Sequence, residues 1–136
     1  MLDIYPWQHD QMQRLSAMYS QERLPHALMF SGTEGIGLKQ FSLSLAVRLL
    51  CAKNDNFEIA CGLCDSCNLV KGDSHPDLKL IEPEENSERI QINQIREFID
   101  YSTLKSFSGK IKICIINPAE MMVTSAANAL LKTLEE

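Results

Sequence analysis

No apolar run in this 136-residue chain approaches the ~20 residues that a membrane-spanning helix needs, so a helical span is excluded. The opening, Met1-Leu-Asp-Ile-Tyr-Pro-Trp7, has no basic segment with an apolar one behind it, and no export signal is expected. Internal repeats and low-complexity tracts are also missing, which excludes a repeat array. Basic residues are the minority: 13 Lys and Arg stand against 18 Asp and Glu, for a net charge of −5. Nonspecific nucleic-acid binding needs a basic face and is disfavoured by this balance. An even cysteine count is lacking too. Five cysteines without an export signal do not suit a secreted disulfide framework. A cytoplasmic protein with reduced thiols is expected, in which clustered thiols are metal ligands or redox groups.

What is present is an ordinary globular composition, 45% apolar and 23% charged, in one domain's length. A chain of this size buries about two-thirds of its unfolded surface and can hold a core without staples. Residues 8–22 carry Met12, Leu15, Met18 and Tyr19 at helical spacing. Residues 27–31 form a short apolar run bounded by Ser31-Gly32 and read as a strand. Leu38, Phe41, Leu45 and Leu49 mark a helix running up to Cys51. Residues 52–76 are polar and hold three cysteines, and Gly72 and Pro76 punctuate the end. A second strand is expected at 77–82, a helix from Ile92 to Ile99 with Asn93 as its N-cap, and the strongest strand at 111–116. Residues 125–136 read as a helix with no stop signal, as in a truncated chain. Strands alternating with helices suggest a parallel α/β sheet.

Cys51, Cys61, Cys64 and Cys67 are spaced C-x9-C-x2-C-x2-C. Thiolates two residues apart can grip one tetrahedral ion, and a structural zinc site takes four such ligands. Cys61-Gly62-Leu63-Cys64 is a glycine turn suited to that grip, and Cys51 closes the tetrahedron from a helix end. A redox pair, another metal or plain thiols are the alternatives, but a redox C-x-x-C wants a thioredoxin-like strand-to-helix context. Four sulfurs would leave no open position for water, so the site is not catalytic. His75 reads as a turn residue beside Pro76, and Cys114 as inert core.

Gly32-Thr-Glu-Gly35-Ile-Gly37-Leu38-Lys39 opens a helix after an apolar run, the setting of a phosphate loop. The register then fails. Leu38 stands where G-x-x-x-x-G-K-[ST] places lysine, and Lys39 where it places the hydroxyl. Lys39 is turned about 100° around the helix from the lysine position. The second nucleotide element fails as well, because the strand ends in Asn117-Pro118 with no acid, and Glu120 comes too late. Gly32, Gly35, Gly37 and Lys39 therefore read as a degenerate phosphate loop, empty of ATP though able to hold an anion weakly on its N–H groups.

These features occur in order with Tyr5-Pro-Trp-Gln8, Leu24-Pro-His-Ala-Leu28, Ser74-His-Pro-Asp77, Ile92-Asn-Gln-Ile-Arg96, Ile116-Asn-Pro-Ala-Glu120 and Asn128-Ala-Leu-Leu-Lys-Thr-Leu-Glu-Glu136. Together they resemble the clamp-loader branch of the AAA+ family in bacterial DNA polymerase III. The resemblance covers the whole chain. It implies a partial P-loop NTPase-like domain over residues 1–136, with a three-layer parallel sheet, helices on both faces and a zinc-knuckle insertion at about 51–72. It further implies a non-catalytic stator in the polymerase III holoenzyme. The stator would assemble with delta and gamma/tau subunits to load the sliding clamp on primed DNA, with structural Zn²⁺, no ATP and no membrane contact. A clamp-loader ATPase subunit that still hydrolyses ATP is the alternative. The arginine that such a stator gives to a neighbour's ATP site lies in a Ser-Arg-Cys motif beyond Glu136. The family's central strand also comes later, so the fragment is expected to self-associate through unpaired strand edges.

Overall fold

A computed structural model describes residues 3–53, 59–108 and 110–135. Residues 54–58 of the expected zinc insertion, and Gly109 before the last strand, lie outside these. The chain divides into two compact units, one through His75 and one from Pro76.

The first unit is helical. A 3-10 turn at Pro6–Gln8 leads into α1 (His9–Ser20), which buries Met12 and Leu15. Met18 and Tyr19, expected on the same stripe, are exposed. The second helix, α2 (Leu38–Leu50), buries Phe41, Leu45, Ala46, Val47, Leu49 and Leu50. That is an almost continuous apolar surface, as a helix at the centre of a core requires. Burying such a side chain contributes about 1.5–3 kcal/mol.

One expectation fails here. Residues 27–31 do not form a strand. A strand exists by pairing, and the described part of this unit holds no second strand to pair with. The segment keeps only an anchor: Phe30 packs edge-on against Phe41, centroids 5.0 Å apart, while Met29 is 88% exposed. The polar segment 52–76, to which no element was assigned, contains a helix, α3 (Asp65–Lys71). It starts at Cys64, whose Sγ accepts the Cys67 N–H in place of a hydroxyl cap, and it buries Cys67 and Val70. Asp65 in its first turn and Lys71 in its last suit the helix dipole.

The second unit is a strand–helix–strand crossover followed by a helix: β1 (Leu78–Ile81), α4 (Ile92–Ser102), β2 (Ile113–Ile116) and α5 (Thr124–Glu135). The strands are parallel, in register from Leu78 opposite Ile113 to Ile81 opposite Ile116. Parallel neighbours need such a crossover, which α4 provides. Ile81, Ile90, Ile95 and Ala126 form the buried centre, with Phe98, Ile116 and Leu130 packed around it. Small residues at 126 and 129 leave room for α5 to lie against α4, and Leu131 stays exposed. The N-cap of α4 is Gln91, not Asn93. Gln94 Oε1 accepts the Gln91 N–H at 2.8 Å, and Gln94 Nε2 donates to the Glu82 carbonyl at 2.7 Å, so one amide ties the helix start to the end of β1. Asn93 lies inside the first turn, where Arg96 donates to it. No helix among the described residues is long and apolar enough to cross a membrane.

Candidate metal centre and glycine-rich turn

Cys51 caps the end of α2, Cys61 and Cys64 flank a turn in which Gly62 takes φ 73°, and Cys67 lies in the first turn of α3. The positive φ is one that glycine adopts at no steric cost. These elements bring all four sulfurs within 4.8 Å of one another. Cys61 and Cys67 sulfurs are 3.9 Å apart, and those of Cys51 and Cys64 are 4.0 Å apart. A tetrahedron with ~2.3 Å metal–sulfur bonds has edges of about 3.8 Å, so the donor set fits a single ion.

The backbone is organised around the sulfurs. Cys61 Sγ accepts N–H groups from Leu63 at 3.4 Å and Cys64 at 3.3 Å. Cys64 Sγ accepts from Cys67, and Cys51 Sγ from Cys61, each at 3.4 Å. The Leu63 and Cys64 N–H groups hold the Cys61 thiol down at about 6. Burial works against ionisation at Cys64, yet the N–H groups of Cys67 and Ala52 outweigh it and its thiol is lowered. Burial pushes Cys67 up to about 12. Two residues that the spacing did not reveal brace the turn: Lys71 Nζ donates to the Gly62 carbonyl at 2.6 Å, and Asn68 Nδ2 to that of Leu63 at 3.3 Å. A donor one or two helical turns beyond the cysteines was the available signal.

His75 is buried outside this set, its Nε2 3.3 Å from Ser66 Oγ. Cys114 is partly buried on β2, and burial pushes its thiol to about 12 against the opposing effect of Lys79.

The glycine-rich turn is also built. Gly35 and Gly37 take φ 89° and 83°. A Cβ on Gly37 would stand 2.5 Å from the Tyr5 ring, and one on Gly32 would collide with Ile36. The carbonyls, meanwhile, are committed to the N-terminal segment. Trp7 Nε1 donates to Ile36 O at 3.1 Å, and Gln8 Nε2 reaches the Ile36 and Gly37 carbonyls at 3.0 and 3.1 Å. Leu38 is the first residue of α2 and Lys39, exposed, the second. In the second unit, β2 runs into Asn117, whose Nδ2 lies 3.4 Å from Glu82 Oε2. Glu120 sits exposed in the 3-10 turn Ala119–Met121.

A mixed α/β chain with a glycine turn opening a long helix, a four-cysteine centre after it and a parallel strand pair defines the class. Residues 7–136 match the family described as DNA polymerase III, delta subunit, and the chain belongs to that family. It is similar to DNA polymerase III subunit delta' of Pseudomonas aeruginosa, 37% identical over the whole chain and 40% of that protein. It is 32% identical to the Escherichia coli delta' subunit over 97% of the chain and 39% of that protein. The tau/gamma subunit of Haemophilus influenzae is 33% identical over 84% of the chain and 16% of its own length. The chain spans about two fifths of the length of the delta' relatives.

Proposed function

We propose that this chain is part of a non-catalytic stator subunit of a bacterial sliding-clamp loader, a delta' subunit acting in DNA replication in the cytoplasm. The similarity to delta' subunits across the whole chain carries this reading. In it, residues 1–136 are a portion of an AAA+ domain whose three-layer sheet includes β1 and β2. The four-cysteine centre holds a structural Zn²⁺ that fixes the end of α2 to α3. Gly32, Gly35, Gly37 and Lys39 form a phosphate loop that no longer serves ATP, because the Leu38 side chain offers neither charge nor donor to a phosphate. Partners are delta and gamma/tau subunits, with the clamp and primed DNA reached through the complex. Similarity to tau/gamma subunits supports kinship with the ATPase members of such a complex.

Reconstitution tests the assembly role. The full-length protein, mixed with purified delta, gamma/tau and clamp, is expected to be required for loading on primed DNA. Lys39→Ala should leave loading within about twofold, since an exposed side chain off the phosphate position contributes little to transition-state stabilisation. Loading that proceeds equally without the protein would refute the role, and a loss of loading on Lys39→Ala would favour the ATPase alternative.

A further inference from the structure

The four sulfurs of the metal centre differ in what can reach them. Cys51 and Cys67 are fully buried and Cys64 is half-buried, but Cys61 is exposed. It opens the Gly62 turn, in which Leu63 is 83% exposed. A buried sulfur lies close to this exposed one: Cys67 Sγ is 3.9 Å from Cys61 Sγ. A disulfide holds its two sulfurs at about 2.05 Å, so joining this pair takes a shift of roughly 2 Å. The centre thus offers one thiolate to solvent and a second behind it to close the bond.

We propose that this centre is a peroxide-sensitive switch, in which Cys61 is the sulfur attacked and Cys67 the sulfur that resolves it. The inference rests on the zinc reading above, because these are the thiolates that hold the ion. In the first step the Cys61 thiolate attacks one oxygen of hydrogen peroxide. An S–O bond forms, the O–O bond breaks and hydroxide leaves, giving a sulfenic acid. In the second step the Cys67 thiolate attacks the sulfenic sulfur. An S–S bond forms and a second hydroxide leaves. Two thiolates have then lost two electrons, and one peroxide has become two hydroxides. Two sulfurs remain, too few for an ion that takes four in a structural site. Cys51 no longer fastens the end of α2 to the start of α3. A dithiol reductant returns the two electrons, and added zinc then rebuilds the centre. Cys114 lies on β2, outside the cluster, and takes no part.

The full-length protein, loaded with zinc and freed of reductant, is treated with hydrogen peroxide beside a chromogenic zinc chelator. One zinc per chain should appear. Peptide mapping by mass spectrometry at early times should place the first disulfide at Cys61–Cys67. Cys61→His leaves three thiolates and an imidazole, a donor set that also suits structural zinc, and its release should be about 10-fold slower or more because the exposed thiolate is gone. Cys114→Ser should release zinc at the parent rate. Dithiothreitol with zinc should restore both the metal content and the thermal midpoint. A first disulfide other than Cys61–Cys67, or release from Cys61→His at the parent rate, would overturn the proposal. Should Cys61→His take up no zinc, the disulfide map of the parent decides. The two failures are distinguishable: a parent without zinc before peroxide counts against the zinc reading, and a loaded parent that keeps its zinc through peroxide counts against this one.

Discussion

A Cys67→Ser chain is expected to carry well under one zinc per chain, against one for the parent purified under reducing, chelator-free conditions. Cys67 is fully buried, and its sulfur is 3.9 Å from that of Cys61, so serine removes one corner of a tetrahedron that, among the described residues, only these four cysteines form. Structural zinc contributes on the order of 10 kcal/mol in small sites, comparable to the ~5–15 kcal/mol margin of a whole domain. The metal-free form should therefore lose the ordered link between α2 and α3, with a large fall in the thermal midpoint. Cys114→Ser, on β2, should keep its zinc. Uptake must release protons, because burial holds the Cys67 thiol at about 12, above neutral pH. Affinity is thus expected to fall as the pH is lowered, and to fall further near pH 6, where Cys61 also gains a proton. A parent chain with little zinc, or a Cys67→Ser chain with a full ion, would contradict this.

The second large effect is at Asp77. Asp77→Ala removes, in one step, the acceptor for the N–H groups of Phe107 and Ser108, in the loop joining α4 to β2, and for the Ser108 hydroxyl. Bonds to a charged acceptor contribute about 1.5–3 kcal/mol each, and the loop can recover part of that by turning to water. A loss of roughly 3 kcal/mol is expected in urea unfolding. Ser108→Ala should cost about 1 kcal/mol, since the backbone bonds to the carboxylate remain. An Asp77→Ala chain within about 0.5 kcal/mol of the parent, the range of an ordinary surface substitution, would show that the loop is not held this way.

Asp77 also marks where the sequence stops being legible. The cysteine spacing, the start of α2 at Leu38 and the two strands that pair were all readable, because spacing, punctuation and apolar runs are local signals. The partners of Asp77 lie 30 and 31 residues away, and nothing local points to them. The extended reading of residues 27–31 failed for a related reason: composition gives a tendency to extend, but a strand also needs a neighbour. The helix α3 was missed because its cap is a cysteine sulfur, not one of the oxygen side chains that mark helix starts. Asn93 has the residue type of a cap, but Gln94, two residues inside the helix boundary, makes the tie to β1. The glycine turn at the start of α2 was legible as a turn, though not the donation of Trp7 and Gln8 to its carbonyls.

On the proposed reading, this glycine turn no longer serves a nucleotide. Leu38 stands at the lysine position and Asn117-Pro118 at the end of β2, so both the phosphate charge and the Mg²⁺ acid are missing. Calorimetric titration of the full-length, zinc-loaded protein with ATP·Mg²⁺ tests it most directly. No binding is expected at physiological ATP, and inorganic phosphate alone should give at most weak heats from N–H groups at the start of α2. Micromolar ATP affinity that a Gly37→Glu substitution abolishes would contradict the account.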